Sequence, residues 1–386
     1  MRAKARLVIF LRMALLILFA GLAGPAYANE LKFGAASPDR ALDGSRTDMQ
    51  DRLQAAFDRA ALTGQTVILP SGRFYHSGTL MMRGIRVRGS GEATILEGTT
   101  RDSASIIVSG SGAGLSDLTL TFDATTRSQA DTSALVLVQD ATDFAISNLL
   151  LDGSDSAGIL ISGSSRGVVR RNRIYNTLAD SIHITAASSN IVVHDNAIEF
   201  SGDDGIAVVS YERSGLASDI AIVGNSVIDN KHARGISVVG GRAVLISENS
   251  VRCKAGYAGI YVASERSYTT YGSVDVTIEQ NSVSGCGGAK VGHGGITVFS
   301  DYNANRNVWI KENRISSSPA VGIFVLWGPN VDLAVENNVI VGSGDADIKL
   351  FHQKQPVVVS GNTRDDGSPA STRLIAPGAS VLRERR

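Results

Sequence analysis

The sequence predicts an all-β solenoid, a fold in which short strands stack as successive coils of one long spiral. Three observations predict it. Asparagine recurs at a nearly fixed interval, short alternating segments lie between the asparagines, and only one segment has the pattern of a helix. A repeat of roughly 20–50 residues is typical of solenoids, in which each repeat buries its apolar face against its neighbours.

The asparagine repeat runs through most of the chain. The steps in sequence number from one asparagine to the next are 24, 24, 29, 24, 32, 32, 25 and 24. We expect them at a turn, where asparagine tolerates unusual backbone geometry, with amides that hydrogen-bond along the solenoid axis. Asp117 is expected to take the same place one coil earlier. The nine asparagines are Asn148, Asn172, Asn196, Asn225, Asn249, Asn281, Asn313, Asn338 and Asn362.

A second motif lies between the asparagines: Gly or Ser, then Ile, then residues that alternate with Val or Ile. Alternation rich in β-branched residues is typical of strands. Because no helical pattern separates these segments, alternating helices and strands are excluded. Each coil therefore has at least two strands. The motif begins at Gly158, Ser181, Gly205, Gly235, Gly259, Gly295 and Gly322.

One helix is predicted near the start, over residues 47–62, with Thr47 or Asp48 as its N-cap. Its apolar face would carry Met49, Leu53 and Phe57. The first coil of a solenoid exposes an unpaired strand edge, so we assign this helix as the N-terminal cap.

The segment 1–28 predicts a secretory signal. Four basic residues precede a short apolar stretch and the small-residue sequence Ala26-Tyr27-Ala28. We therefore expect a periplasmic or secreted protein without a membrane span after cleavage. The remainder holds 33 basic and 37 acidic residues, a net charge of −4, which argues against nucleic acid as a partner. We place the solenoid at residues 29–362 and a polar, mobile C-terminal tail at 363–386.

The two cysteines, Cys253 and Cys286, follow Asn249 and Asn281 by four and five positions. Adjacent coils stack about 4.8 Å apart, a spacing that suits the Cα separation of a disulfide. An exported protein can keep such a bond. We favour a disulfide over two buried thiols.

The three longest repeats each lengthen the turn after the Gly-Ile strand, at residues 211–218, 265–272 and 301–307. Insertions in a solenoid usually fall on one face, often the binding face. These loops should build one wall of a groove, and their aromatic and charged side chains suit a sugar chain. The predicted substrate-binding residues on this wall are Tyr211, Glu212, Arg213, Glu265 and Arg266.

A column of charges crosses three successive coils, one position before each Gly-Ile motif. It holds Asp180, Asp204 and Arg234, where other coils have small or apolar residues. Asp203 lies beside it. Crowded carboxyls should raise the pKa of one of them. Two arrangements are open: an ion ladder buried inside the solenoid, or a bend at the glycine that turns the charges outward.

Further polar and aromatic residues fall close to this column. We include His232 among the candidate catalytic residues. The additional candidates for substrate binding are His183, Tyr257, Tyr261 and His293.

The N-terminal part of the solenoid resembles a known family group. The segments Phe33-Gly-Ala, Leu53-Gln-Ala-Ala and Val67-Ile-Leu-Pro-Ser-Gly are similar to the N-terminal signature of pectate-lyase-like proteins. The resemblance spans roughly residues 31–362. It implies a right-handed parallel β-helix and leaves the reaction open, because this scaffold carries many functions.

The segment Ser201-Gly-Asp-Asp-Gly-Ile-Ala-Val resembles the Gly-Asp-Asp motif of polygalacturonase-like glycoside hydrolases. The resemblance implies Asp203 as the general acid, Asp180 and Asp204 as the pair that activates water, and inversion at the anomeric carbon. Two departures matter. Arg234 stands where that family has histidine, and Tyr261-Val262-Ala263 replaces its basic Arg-x-Lys anchor for the sugar acid.

The sequence therefore predicts an exported glycoside hydrolase that acts on an acidic or bacterial exopolysaccharide and requires no metal. The first alternative is a lyase or C5-epimerase. In the lyase Asp180, Asp203 and Asp204 would hold Ca²⁺ through oxygen ligands and Arg234 would be the base. The second is a non-catalytic glycan-binding protein of an exopolysaccharide system.

Overall fold

Parallel strands stack along one axis in the computed structural model, which describes residues 29–34, 47–254 and 256–375. A typical coil contributes three strands, one to each of three stacks. The motif stack holds the Gly-Ile strands, the ladder stack precedes the asparagines, and the return stack follows them. The motif and ladder stacks join into a 25-stranded sheet, and the return stack forms an 11-stranded sheet.

The motif stack consists of β4 (Leu80–Arg83), β7 (Ala104–Ser111), β10 (Ala134–Thr142), β13 (Ala157–Ser162), β16 (Ile182–Thr185), β19 (Ile206–Val209), β22 (Ile236–Val239), β25 (Ile260–Ser264), β28 (Gly294–Ser300), β31 (Val321–Leu326), β34 (Ala346–Phe351) and β36 (Thr372–Ile375).

The ladder stack consists of β1 (Glu30–Lys32), β2 (Thr66–Ile68), β5 (Arg86–Arg88), β8 (Gly114–Ser116), β11 (Ala145–Ser147), β14 (Ser165–Arg170), β17 (Ser189–His194), β20 (Ser218–Val223), β23 (Arg242–Ser247), β26 (Val274–Glu279), β29 (Asn305–Lys311), β32 (Asn330–Glu336) and β35 (Val357–Ser360).

The return stack consists of β3 (Gly72–His76), β6 (Thr94–Gly98), β9 (Thr119–Thr121), β12 (Leu150–Ser154), β15 (Arg173–Thr177), β18 (Ala197–Glu199), β21 (Ser226–Ile228), β24 (Ser250–Arg252), β27 (Ser282–Ser284), β30 (Arg314–Ser316) and β33 (Val339–Val341).

The core is a set of aliphatic columns that run along the axis. In the motif stack, isoleucines of neighbouring coils pair in register and are fully buried. Burying one such side chain contributes about 1.5–3 kcal/mol. The isoleucines of this column are Ile159, Ile182, Ile206, Ile236, Ile260, Ile296, Ile323 and Ile348.

The predicted ladder of asparagine amides is confirmed from Asn172 to Asn362. Asn225 is representative: its Nδ2 donates to Asn249 Oδ1 at 3.0 Å, and its backbone N–H donates to the same oxygen at 2.9 Å. These asparagines are buried. The ladder therefore satisfies polar groups at each turn of the interior, where an unpaired group is costly.

Asn148 does not belong to this ladder, contrary to the sequence prediction. Leu149 takes the ladder position, since its N–H donates to Asn172 Oδ1. Asn148 is exposed, has φ 55°, and donates to Asp117 Oδ1 at 3.0 Å. The left-handed backbone thus falls one residue before the ladder, as at Asp195 with φ 56°.

The predicted cap is confirmed as α1 (Gln50–Thr63), whose N-cap is Met49 rather than Thr47 or Asp48. Asp48 still accepts the Gln50 N–H. The side-chain amides of two glutamines of α1 make the hydrogen bonds to the edge strand β4 that the backbone of a neighbouring strand would otherwise make. Gln54 accepts the N–H of Met81 at 2.8 Å and donates to its carbonyl at 3.1 Å, and Gln50 pairs similarly with the turn before β4.

The Cys253–Cys286 disulfide is present, with a Cα separation of 4.8 Å. At the C-terminal end, β36 pairs with β34 beyond the boundary predicted at residue 362. This strand is too short for a recognisable alternation. The predicted signal, residues 1–28, and residues 376–386 lie outside the described residues. In the described part of the chain, no helix is long and apolar enough to cross a membrane.

Asn249→Ala should lower the free energy of unfolding by about 3 kcal/mol, because it leaves several buried partners unpaired. Asn249 donates to Asn281 Oδ1 and to the carbonyls of Ile222 and Ser247. Urea unfolding measures the loss. The matched control is Asn148→Gly, which keeps the exposed left-handed position and should cost less than about 0.5 kcal/mol. Equal losses in the two variants would mean that the ladder contributes nothing special.

Candidate active site

The structure places Asp180, Asp204 and Arg234 in one column on three successive coils, as predicted. Backbone hydrogen bonds fix the register: Gly158 N–H donates to the Asp180 carbonyl, Ser181 N–H to that of Asp204, and Gly205 N–H to that of Arg234, each at 3.0 Å. The column therefore follows from strand pairing alone.

A bend at the motif turns this column outward. The strands β16, β19 and β22 begin only at the isoleucine, whereas β13 includes the column residue. At Gly205 a Cβ would lie 2.4 Å from the core side chain of Val227 and 2.6 Å from the Gly235 carbonyl. Only glycine fits there. Because residue 205 faces the core, Asp204 faces away from it.

The charges line a cavity of about 550 Å³ on the outer face of the motif stack. The alternative of an ion ladder inside the solenoid is therefore wrong. Asp204 is nevertheless only 3% exposed, because the cavity floor and walls surround it. Its Oδ1 accepts the Arg234 N–H at 2.8 Å, and its Oδ2 accepts the Ser237 hydroxyl at 2.5 Å. Sequence analysis did not identify Ser237.

Asp180, Asp203 and Asp204 form a carboxylate triad in which one oxygen of each lies within 4.8 Å of the others. Asp180 Oδ1 accepts the Asp204 N–H at 2.8 Å, and its Oδ2 accepts from His183 Nδ1 at 2.5 Å. Asp203 has the most exposed side chain of the three, at 31%. One water molecule, with hydrogen bonds of about 2.8 Å, can contact two of these carboxylates at once.

Burial raises the pKa of Asp204 to about 7, and the neighbouring charges of Asp180 and Asp203 act in the same direction. Arg234 and the Ser237 hydroxyl oppose this shift without cancelling it. The triad therefore retains a proton near neutral pH, as expected for like charges held close together.

Arg234 is held between the triad and an aromatic layer. Its Nε lies 3.1 Å from Asp204 Oδ1, and its guanidinium lies 4.8 Å from the centre of the Tyr261 ring. Burial acts to lower the pKa of Arg234, but Asp204, Glu265 and Tyr261 outweigh it and raise that pKa. Arg234 therefore stays charged and anchors Asp204.

Two predicted residues, Tyr261 and His293, lie in the aromatic layer, and a third, Glu265, is hydrogen-bonded to it. The Tyr261 hydroxyl donates to Glu265 Oε1 at 2.9 Å, and the His293 ring lies 5.2 Å from the Tyr261 ring. Burial and the charge of Arg234 lower the pKa of His293 to about 4, and its Nδ1 accepts the Ala258 N–H at 3.2 Å. Tyr261 thus packs against Arg234 and His293 packs against Tyr261, and neither is among the residues that line the cavity.

One cavity wall is the predicted corner of long loops. Tyr211, Arg213, Glu265 and Tyr268 line it. The predicted residues Glu212 and Arg266 instead join loops to each other. Glu212 accepts from Asn303 Nδ2 at 2.9 Å and from the Tyr302 hydroxyl at 3.3 Å, and Arg266 donates to Asp301.

The opposite wall is a segment that sequence analysis missed, residues 127–133. It precedes β10, and Arg127 donates to Asp203 Oδ2 at 2.8 Å. Buried Asp155 holds this wall in place, because it accepts the Ser133 hydroxyl at 2.6 Å. A signal was present in the repeat: the step in sequence number from Asp117 to Asn148 is 31, longer than the usual 24.

Two predicted residues lie away from the cavity. His232 is exposed on the turn before Arg234 and is not among the cavity-lining residues. Tyr257 does not line the cavity either, and its ring packs at 5.8 Å against that of His293. Counting positions from the motif could not separate side chains that point into the groove from those beside it.

Comparison with known proteins identifies the family. A family model described as a right-handed β-helix region matches residues 104–275 and 235–381. The chain belongs to the right-handed β-helix family. No curated protein matches its sequence significantly.

Solved structures resemble this right-handed β-helix over most of its length. The catalytic unit of a thermostable GH87 α-1,3-glucanase from Streptomyces thermodiastaticus strain HF3-3 has 18% identity and a TM-score of 0.69, covering 85% of this chain and 68% of its own. The surface protein and adhesin PfbA of Streptococcus pneumoniae has 14% identity and a TM-score of 0.65, and the match covers 90% of this chain and 100% of PfbA. These likenesses concern the fold.

A further neighbour is the catalytic domain of a GH87 α-1,3-glucanase in complex with tetrasaccharides, with 18% identity and a TM-score of 0.70. The match covers 92% of this chain and 69% of that domain's chain. Structures of this kind of domain exist for three variants in which one aspartate is replaced by alanine. The sequence numbers of the first two replaced aspartates differ by 23, and the third aspartate directly follows the second.

Carboxyl titration should find one aspartate of the native protein with a pKa near 7, because burial and two neighbouring carboxylates disfavour its ionisation. Carbonyl-detected NMR on aspartate-labelled protein measures it. The signal should vanish in Asp204→Asn and move to lower pH in Asp180→Asn. Asp143→Asn, at an exposed ion pair with Arg166, is the control and should leave it unchanged. A triad whose members all titrate below pH 5 would contradict this assignment.

Proposed function

We propose that this protein hydrolyses a neutral polysaccharide, and specifically an α-1,3-linked glucan, at the carboxylate triad. The observation that carries the proposal is the triad itself. Asp180 and Asp203 differ by 23 in sequence number, Asp204 directly follows Asp203, and all three meet in one cavity. The aspartates replaced in the neighbouring glucanase have the same spacing on the same fold.

In the proposed reaction Asp203 is the general acid. It is the most exposed member of the triad and lies at the mouth of the cavity, where it can reach a glycosidic oxygen. Its proton passes to that oxygen as the bond to the anomeric carbon breaks. Carboxylic acids of this kind flank the scissile bond in most glycoside hydrolases.

Asp180 and Asp204 are the proposed acceptors for the proton of the attacking water. They are the deeper members, with side chains 13% and 4% exposed, and the Asp204 N–H bridges them through Asp180 Oδ1. The water oxygen bonds to the anomeric carbon and its proton goes to this pair. One water molecule is consumed and the enzyme returns to its starting protonation state.

The Arg127–Asp203 ion pair opposes the acid role before substrate enters. Arg127 donates to Asp203 Oδ2 at 2.8 Å and so occupies an oxygen that would carry the acid's proton. A sugar ring in the cavity would displace Arg127, which sits on a wall and has a side chain 47% exposed. Asp203 would then take up the proton that the crowded triad retains.

The stereochemistry is a separate prediction. The family resemblance implies inversion, yet the nearest triad oxygens, within 4.8 Å, are closer than the ~6.5–9.5 Å typical of inverting enzymes and nearer the ~5–5.5 Å of retaining ones. Proton NMR of the first-formed anomer separates the two outcomes. Inversion would support water as the nucleophile, and retention would assign that role to Asp180 or Asp204.

A neutral substrate suits the charges of the cavity better than an acidic one. Five carboxylates line it against three arginines, and two of those arginines pair with Asp203 and Asp204. The remaining arginine, Arg213, lies over the Tyr211 ring. Like charge would repel a uronate. The carboxylates are Asp131, Asp180, Asp203, Asp204 and Glu265.

The lyase mechanism fits the site poorly. Its base would be Arg234, but nearby carboxylates raise the pKa of Arg234 and stabilise the charged form that cannot accept a proton. Its Ca²⁺ would need about six to eight oxygen ligands. The triad oxygens are instead engaged by nitrogen donors, from Arg127, His183 and the Arg234 backbone.

The second candidate is glycan binding without cleavage. This candidate is favoured by the likeness to a surface adhesin, because the match extends over the full length of that adhesin. For both candidates we propose export, because the Cys253–Cys286 disulfide is typical of proteins that work in oxidising compartments.

The purified protein should release reducing sugars from α-1,3-glucan, without the ultraviolet absorbance of an unsaturated product and with no loss of rate in a chelator. Asp203→Asn, Asp180→Asn and Asp204→Asn should each lower kcat by at least about 100-fold, as expected for an acid or base. Asp143→Asn is the matched control and should keep full activity. A uronate polymer should be a poor substrate.

Three results would contradict the proposal. An active Asp203→Asn variant would remove the acid. Unsaturated products would indicate elimination. Binding of the glucan by the wild type without any release of sugar would favour the binding protein.

A further inference from the structure

A second cavity opens on the same face of the solenoid, nearer the C-terminal end. It has a volume of about 1060 Å³. We name it the distal cleft and define it by Phe324, Trp327, Asp345, Lys349, Phe351 and His352. Neither the proposed chemistry nor the predicted site residues use any of these six.

The distal cleft continues the register of the triad. The column of Arg234 runs through Ala258 and Gly294 to Val321 and Ala346. Val321 is thus three coils from Arg234, about 14 Å along the axis. His293 lines the distal cleft, and its ring lies 5.2 Å from the ring of Tyr261, which also contacts the Arg234 guanidinium at 4.8 Å. The two cavities therefore belong to one face, separated by the length of a few sugar units.

The chemistry of the distal cleft suits a sugar. Trp327 is 43% exposed, although a large aromatic side chain gains free energy by burial. Its ring packs edge-on against Phe351 at 5.7 Å, and Phe351 stacks on His352 at 4.2 Å. Aromatic faces carry negative charge density, so they attract the C–H faces of a pyranose ring.

Fixed polar groups border these rings. Lys349 Nζ donates to Asp345 Oδ2 at 2.7 Å and lies 5.4 Å from the centre of the Phe324 ring. Arg373 holds the other oxygen of Asp345 at 2.6 Å. A cleft with an aromatic floor and a few oriented polar groups is typical of a small-molecule or sugar site, and the paired charges leave hydrogen-bonding capacity for hydroxyls.

We propose that the distal cleft is a second sugar-binding site, occupied by the same neutral glucan chain whose bond lies at the triad. This inference rests on the proposed function and deepens it. The protein would then favour polymers over short fragments. A chain that reaches from the triad to Trp327 gains contacts at both places, whereas a disaccharide gains them at one.

Tryptophan fluorescence tests the proposal without relying on activity, since the chain has only two tryptophans. Trp309 lies on β29, in the ladder stack. In the double variant Trp309→Phe/Asp203→Asn, Trp327 is the one remaining tryptophan and cleavage is blocked. We expect its emission to change on addition of α-1,3-glucan oligosaccharides of about eight units, long enough to span about 14 Å. The matched variant Trp327→Phe/Asp203→Asn should not respond.

Kinetics give a second measure. Trp327→Ala should raise the KM for the long oligosaccharide about tenfold, the value of a lost aromatic contact, with kcat unchanged and no effect on a trisaccharide. Should Trp327→Ala fail to fold, Lys349→Gln serves instead, with an expected rise of a fewfold. Trp309→Ala is the control and should match the wild type.

The outcomes separate this inference from the proposed function. Cleavage of glucan with no response of Trp327 and no change of KM would overturn the distal site and leave the triad intact. Absence of cleavage would overturn the proposed function. If Trp327 then responded to no neutral oligosaccharide, the distal site would fall as well. A wild-type dimer that Trp327→Ala converts to a monomer would show that a second copy covers the cleft, and would also overturn it.

Discussion

Parallel stacking of coils at one spacing is the constraint on which the rest of the structure depends. Each strand must offer its N–H and carbonyl groups to the coils on both sides, so neighbouring coils share one register. The asparagine ladder enforces that register at a buried turn. From Asn196 onward, each Oδ1 accepts both the side-chain and the backbone N–H of the asparagine before it, as Asn249 does for Asn225. A slipped coil would lose both bonds.

The same constraint produces the candidate site and its electrostatic cost. Strand pairing brings Asp180, Asp204 and Arg234 into one column although they are far apart in sequence. Isolated carboxylates would avoid such crowding. Here the strand register prevents separation, and burial raises the pKa of Asp204 to about 7. The fold thus stores a proton where the proposed chemistry needs one, and Arg234 on Tyr261 limits the cost.

The sequence predicted those features that repeat. The strands and the ladder follow from motifs that recur from coil to coil, the charged column follows from aligning those motifs, and the capping helix follows from its own apolar periodicity. Each is present. The pattern gave the position of each residue in its coil but not the direction in which its side chain points, and two predictions were wrong for that reason. Asn148 has the right spacing, but the interior position belongs to Leu149. His232 lies close in sequence to Arg234 and is exposed.

The second wall of the cavity was missed. The wall at residues 127–133 is an insertion before β10, and it contacts Asp203, which lies far along the sequence. No local sequence pattern could indicate that Arg127 of this wall pairs with Asp203. The outward turn of Asp204 was likewise open, because it depends on the contact of Gly205 with Val227 in the core.

A crystal structure of the Asp203→Asn variant with a bound α-1,3-glucan oligosaccharide tests the central claim most directly. The triad hypothesis predicts a glycosidic oxygen within about 3.2 Å of the residue 203 side chain. It also predicts a water molecule in contact with both Asp180 and Asp204 on the side of the anomeric carbon, and Arg127 displaced from residue 203. An oligosaccharide bound along another face, with the triad and its Arg127 contact unchanged, would contradict it.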